Sequence, residues 1–273
     1  MRMRLVTWNI NSVRLRIDLV TRFLAEQQPD ILCLQETKCA DDQFPAKAFQ
    51  KAGYPHLAIH GQKAYHGVAI VSRLPFESTD RRHYCGIEDA RHVAVTLAGG
   101  LELHTFYVPA GGDVPDPEVN PKFAHKLAFV DEMAKVLARG KTKPRIIVGD
   151  LNIAPQEHDV WSHKQLLKVV SHTPVETEAM AHLTKKGGFT DVARALVPAE
   201  EKLYSWWSYR SPDWSKSDKG RRLDHIWVTD PLRDAALKGG RGAFSVHRDV
   251  RGWEKPSDHA PVQLDLDVDL GVG

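Results

Sequence analysis

Short apolar runs rich in Val, Ile and Leu recur along the whole chain and predict strands at Leu5–Ile10, Ile31–Gln35, Val68–Ser72, Val93–Leu97, Leu101–Tyr107, Arg145–Gly149, Leu223–Val228 and Val262–Val268. Between them the apolar spacing lengthens to three and four. Ile17, Val20, Phe23 and Leu24 share one face of an expected helix Arg14–Gln28, and Phe123, Leu127, Val130, Ala134 and Leu137 one face of another, Pro121–Arg139. Two further helices are expected at Ser162–Val170 and Pro174–Lys185. The last apolar run, "PVQLDLDV", alternates apolar and acidic residues and reads as a half-buried strand entered through Pro261. Many strands with few hairpin turns, interspersed with helices, predict an α+β fold of packed sheets flanked by helices, with loops converging at one end.

No repeat and no linker divides the chain. The Pro-rich stretch Pro109–Pro121 and the Gly-rich Lys238–Gly242 are short enough to be surface loops, so one domain over residues 1–273 is expected. A net charge of +2 excludes a global polycation, so any phosphate binding must be local. Cys33, Cys39 and Cys85 are odd in number and form no C-x-x-C pair, which argues against a disulfide framework or structural zinc and fits a reducing cytoplasm. The N-terminus lacks the apolar core of a signal peptide, and no run approaches the roughly 18 apolar residues of a membrane span.

Polar residues terminate the apolar strands. "RLVTWNIN" ends in Asn9 and Asn11, "DILCLQETK" in Glu36, "RIIVGDLN" in Asp150 and Asn152, and "RRLDHIWV" carries Asp224. A lone acid after a strand usually caps a helix or forms a turn. Gly149, however, lets backbone approach closely before Asp150, and Asn152 falls on the same face if strand geometry persists. Glu36 follows a buried strand, where an unpaired carboxylate is costly unless it meets a cation or several donors. Hard oxygen ligands of this kind suit magnesium. Asp258 and His259 sit side by side on the loop feeding the last strand, able to aim at different partners.

The segments "TWNINSVRLR", "LQETK", "YVP", "GDLNIAP", "SWWSYR", "GRRLDHIWV" and "PSDHAPV" occur in the order of the exonuclease III type of AP endonuclease, within the endonuclease/exonuclease/phosphatase superfamily that includes deoxyribonuclease I-like enzymes. The resemblance runs from about Met1 to Asp267. It implies a four-layer sandwich, two packed mixed β-sheets flanked by helices, with a Mg²⁺-dependent nuclease site at one end, Mn²⁺ being able to substitute. It further implies a substrate of double-stranded DNA with abasic sites or blocked 3′ ends, without a membrane or an obligate protein partner.

Carried over motif by motif, Glu36 resembles the principal metal ligand, with Asp258 and Asn9 or Asn11 nearby. Asp150 resembles the carboxylate that positions or deprotonates water, and Asn152 the amide that orients it. His259 would hydrogen-bond a phosphate oxygen or transfer a proton, Asp224 would hold it in one tautomer, and Tyr107 would donate its phenol to the phosphate. Specificity falls to Leu203–Arg222, where Tyr204, Trp206, Trp207, Tyr209 and Trp214 alternate with Arg210, Lys216, Lys219, Arg221 and Arg222. Aromatic stripes are commonly core, but basic interleaving suits base stacking on an exposed loop. Trp206 matches an aromatic that lines a pocket for an extrahelical baseless sugar. Lys122 is expected on the DNA backbone, and Lys126 either there or on a solvated helix face.

The chain departs from the family at Ala110-Gly111-Gly112, where some members place an amide that reaches the phosphate; backbone N–H groups of the Gly pair could substitute. Arg221 could add a phosphate contact or sit in solvent. Two alternatives remain from sequence: a superfamily phosphatase acting on a small molecule or lipid, and a non-catalytic nucleic-acid-binding module on the same scaffold.

Overall fold

The computed structural model describes residues 1–211 and 213–270. Its strands are β1 (Arg2–Asn9), β2 (Ile31–Gln35), β3 (His56–His60), β4 (Val68–Ser72), β5 (Ser78–Asp80), β6 (His92–Leu97), β7 (Leu101–Tyr107), β8 (Arg145–Asp150), β9 (Phe189–Asp191), β10 (Trp206–Trp207), β11 (Gly220–Arg221), β12 (Asp224–Thr229), β13 (Phe244–Val246) and β14 (Val262–Asp267). The helices are α1 (Ile17–Gln27), α2 (Ala46–Lys51), α3 (Pro121–Leu137), α4 (His163–Leu166), α5 (Pro174–Gly187), α6 (Val192–Leu196), α7 (Trp214–Ser217) and α8 (Asp230–Leu237).

Two mixed six-stranded sheets result, ordered β13-β14-β1-β2-β4-β3 and β5-β6-β7-β8-β12-β9. The only parallel pairs among their named strands are β1 with β2 and β7 with β8. Alternation along each strand sends side chains into two different cores. Leu5, Cys33, Ile70, Leu103, Ile146, Val148, Ile226 and Leu264 fill the space between the sheets. Val6, Trp8, Leu32 and Leu34 face outward onto Val20 and Phe23 of α1, while Phe106, Ile147 and Trp227 pack on Phe129 and Met133 of α3. Sheets covered on both faces read as continuous apolar runs, which is why these strands stand out in the sequence.

Several expected boundaries shift. The expected helix 14–28 begins at Ile17, because the Arg16 guanidinium is drawn to the carbonyls of Asn11 and Lys255. The third expected helix shrinks to the single turn α4, and its end falls into backbone turns around Leu166 and Val169. The expected half-buried strand, β14, is buried along both faces up to Leu266. Arg4 stands opposite Asp265 in register and reaches its carboxylate at 2.9 Å, with Arg2 at 2.8 Å, so the acid is covered by β1 instead of solvent.

Strand register also positions the chemistry. Asp150 lies opposite both Tyr107 on β7 and Asp224 on β12, so three polar side chains meet at one sheet end. Gly149 makes this possible. Its φ is 132°, and a Cβ there would lie 2.1 Å from the Phe106 carbonyl, so only glycine lets β8 close on β7.

Candidate active site

The corresponding end of the other sheet supplies Asn9 and, just past β2, Glu36. The Asn9 amide nitrogen donates to Glu36 Oε1 at 2.9 Å and to Asp150 Oδ2 at 2.8 Å, linking the two sheets through one side chain. Its oxygen accepts from the Asn11 backbone N–H. Glu36, Asn11 and Asn152 all adopt left-handed backbone conformations, with φ of 51°, 48° and 53°. Strand geometry therefore ends at Asp150. Asn152 is not on a continued strand face; its backbone N–H donates to Asp150 Oδ1 and its amide to the Val108 carbonyl.

The loop Ser257–Ala260 is tied down from two sides. Ser257 donates to the Asn9 carbonyl, and the backbone pairs with β10 through Trp207 N to Asp258 O and Ala260 N to Ser205 O. That clamp turns His259 inward. Its Nδ1 lies 2.8 Å from Asp224 Oδ2, which also accepts from Ser205, and its Nε2 lies 3.6 Å from Asp150 Oδ2. Asp258 points the other way, one oxygen accepting from Asn11 and the other from the Trp206 indole at 2.9 Å.

Burial sets the electrostatics. Loss of water raises the Asp150 carboxyl, reinforced by the charges of Asp224 and Glu36. Burial opposes charge on His259, but the carboxylates of Asp224 and Asp150 outweigh it and raise its pKa. Burial likewise works against an ionised Glu36, yet Lys38, 2.9 Å from Oε2, and the Asn9 donor lower its pKa overall. Burial, then Glu36 and Asp150, push Tyr107 well above its usual value, so its phenol stays a proton donor.

Glu36, Asp150 and His259 each offer a ligand atom within 4.8 Å of the others. The two carboxylates are oxygen donors of the kind a hard divalent cation takes, while the imidazole, its pKa raised by its carboxylate neighbours, stands beside them as a hydrogen-bond donor. Of the ligands expected from sequence, Glu36 is in this cluster. Asn9 bridges its carboxylates through a donor N–H, while Asn11 and Asp258 hydrogen-bond each other beside it. A cleft of about 870 Å³ opens over the cluster, and Trp206, Arg210, Arg221, Lys219 and Trp161 are among the residues that line it. A smaller cavity of about 270 Å³, lined by His92, Glu102 and Arg145 on the outer face of the second sheet, contains none of these residues.

Lys122 is exposed at the start of α3, against the Gly112 loop. Lys126 corrects the sequence expectation in either form, since it is fully buried. Its ammonium meets Glu176 Oε1 and the carbonyls of Asn152 and Ala110, and therefore supports the site from beneath. Arg221 is half-buried on the cleft wall, where its Nη1 donates to Val170 O and Ser171 Oγ. Sequence reasoning also missed Lys38 and Ser205, which hold Glu36 and Asp224.

Over residues 6–259 the sequence matches the Endonuclease/Exonuclease/phosphatase family. The chain belongs to this family. It is 31% identical over 273 residues to exodeoxyribonuclease III of Haemophilus influenzae, covering 95% of this chain and 98% of the relative. An AP endonuclease from Archaeoglobus fulgidus superposes with a TM-score of 0.88 at 30% identity, over 97% of this chain and 100% of its own. The 3′ phosphatase NExo from Neisseria, solved with a product DNA hairpin, superposes with a TM-score of 0.86 at 31% identity and the same coverage. Relatedness of this extent identifies the chain as a nuclease and sets aside the non-catalytic module and the small-molecule or lipid phosphatase.

Proposed function

We propose that this nuclease is a Mg²⁺-dependent DNA-repair enzyme that incises the phosphodiester 5′ of an abasic site and processes blocked 3′ ends by exonuclease, phosphatase and phosphodiesterase action, with Mn²⁺ able to replace Mg²⁺. The carrying observation is the meeting of Asp150, His259 and Glu36, fixed by Asp224 and Asn9, at the floor of a cleft with basic and aromatic walls.

Phosphodiester hydrolysis needs an in-line water, a group to take its proton, and stabilisation of charge on the phosphoryl oxygens. Asp150, with its carboxyl raised and its rotamer held by Asn9 and the Asn152 N–H, takes the water proton. His259, anchored through Nδ1, presents Nε2–H to a phosphoryl oxygen, and Tyr107 adds a neutral donor. Glu36, supported by Asn9, Asn11 and Asp258, would hold the cation, which when bound supplies Lewis-acid stabilisation of the phosphate. Trp206 offers a stacking surface for an extrahelical sugar, while Arg210, Arg221 and Lys122 meet the strand.

The proposal includes a single catalytic domain, supported by β14 pairing with β1 to join the two ends of the chain, and a cytoplasmic setting, supported by three free cysteines. No helix among the described residues is long and apolar enough to cross a membrane. Its test is cleavage of a duplex bearing one abasic site, with Mg²⁺ and with EDTA. Incision to a 3′-hydroxyl only with the metal is expected; an uncut abasic duplex at saturating Mg²⁺, or cleavage indifferent to EDTA, overturns it.

A further inference from the structure

The cavity of about 270 Å³ on the outer face of the second sheet shares no residue with the cleft and serves no step of the hydrolysis. Its lining comes from β5, β6, β7 and the end of α3. Part of its charge is matched within the protein. Glu102 accepts from Arg145 Nε at 2.7 Å and from Lys143 at 2.9 Å, while Arg145 Nη1 donates to the carbonyls of Leu137 and Arg139 that end α3. The exposed side chains of Arg82, Arg139 and Asp80, also in the lining, have no hydrogen bond or ion pair among the described residues. Nor has the phenol of the buried Tyr84. The charge of Arg82 acts on Tyr84 and His92, and that of Asp80 on Tyr84 and His104. One carboxylate against two guanidiniums leaves these three groups cationic.

The imidazoles give the cavity a direction. His104 Nε2 faces Glu102 at 3.7 Å and so carries the proton; its Nδ1 accepts from His92 Nε2 at 3.0 Å, which leaves His92 Nδ1 a buried acceptor without a partner. Burial keeps both rings neutral. Two guanidiniums and a phenol are donors suited to a phosphate. The Asp80 carboxylate and His92 Nδ1 only accept, and are met by hydroxyl groups. We propose that this cavity is a second ligand site, taking a phosphate monoester that carries sugar hydroxyls, with the phosphate on Arg82 and Arg139 and hydroxyls on Asp80 and His92. Small-molecule pockets commonly span roughly 300–1,000 Å³, so a cavity just below that range holds a small occupant. A free pentose phosphate and a nucleoside 5′-monophosphate share the required chemistry.

Isothermal titration calorimetry of the full chain in EDTA, which keeps divalent metal out of the cleft, compares ribose 5-phosphate, thymidine 5′-monophosphate, ribose and inorganic phosphate. At least one of the two esters should bind about tenfold or more tighter than ribose and inorganic phosphate, on the scale of charge-assisted hydrogen bonds, and the one that does identifies the source. Binding should persist when an abasic duplex already occupies the cleft. The double variant Arg82→Gln, Arg139→Gln should bind the ester about tenfold or more weakly, while its abasic incision with Mg²⁺ stays at the native rate. Asp80→Ala should weaken the ester and leave inorganic phosphate bound no more weakly than before. The proposal is overturned by absence of saturable binding of either ester, by displacement of the ester by the duplex, or by an ester affinity that the double variant or Asp80→Ala leaves unchanged.

Discussion

Replacing Lys126 by Met removes a buried charge while keeping most of the side-chain volume. Lys126 and Glu176 are both fully buried, and the ammonium also serves the Asn152 and Ala110 carbonyls at 2.7 and 3.2 Å. Breaking a buried ion pair from one side costs about 3–5 kcal/mol, because the remaining charge is stranded away from water. Glu176 retains donors from Ser171 N, Thr173 N and Thr173 Oγ, which places the expected loss near the lower end, about 3 kcal/mol. For a chain of this size that lowers Tm by about 6–12 °C. Thermal unfolding of Lys126→Met, Glu176→Gln and the double variant at neutral pH measures it, and the double variant should be more stable than the sum of the singles because no unpaired charge remains. Turnover should fall as well, since the carbonyl of Asn152 loses its donor. A Lys126→Met protein that melts within about 2 °C of the native one, or strictly additive losses, refutes a supporting role for this pair.

Glu36→Gln should weaken metal binding in a calorimetric titration and regain part of its rate at raised Mg²⁺; unchanged affinity would remove Glu36 from the ligand set. Trp206→Ala should lower discrimination between abasic and intact duplex by roughly 1–3 kcal/mol, read from the ratio of dissociation constants, and an unmoved ratio would place the sugar elsewhere. Burial disfavours a charged Asp159, but Arg222 and Arg194 outweigh it and lower its pKa, so its contribution to stability is present above the ordinary carboxylate range and is lost as pH falls below it. Asp159→Asn should therefore be less stable at neutral pH, with a flatter acid limb of Tm against pH; an unaltered slope would contradict the assignment.

The layered architecture was legible because both faces of most strands are buried, so the runs from Ile31, Val68 and Ile146 are continuously apolar and the one from Leu5 nearly so. The strands β3, β5, β9 and β13 were not. They are short, and "HLAIH", "STD" and "FTD" carry polar side chains at positions satisfied by neighbours that only the tertiary structure supplies. Asn9, Glu36, Asp150, Asp224 and His259 come from five distant segments that the motif order named and the sheets bring together. Their holders were harder to read, because Lys38 and Ser205 act through particular rotamers that leave no periodic trace. Lys126 did leave one: it shares the helical stripe of Phe123, Val130, Met133 and Leu137. A lysine on an apolar stripe signals a buried counter-ion, but nothing in the chain says that it is Glu176, fifty residues on.

Asp150 and His259 act on the transition state, and the cleft walls on binding. Single-turnover rates and dissociation constants for an abasic duplex, with His259→Ala and Asp150→Asn beside the native enzyme, separate the two roles. Rates lower by about 10²–10⁴ are expected, with dissociation constants nearly unchanged. Loss of binding in proportion to rate would contradict it.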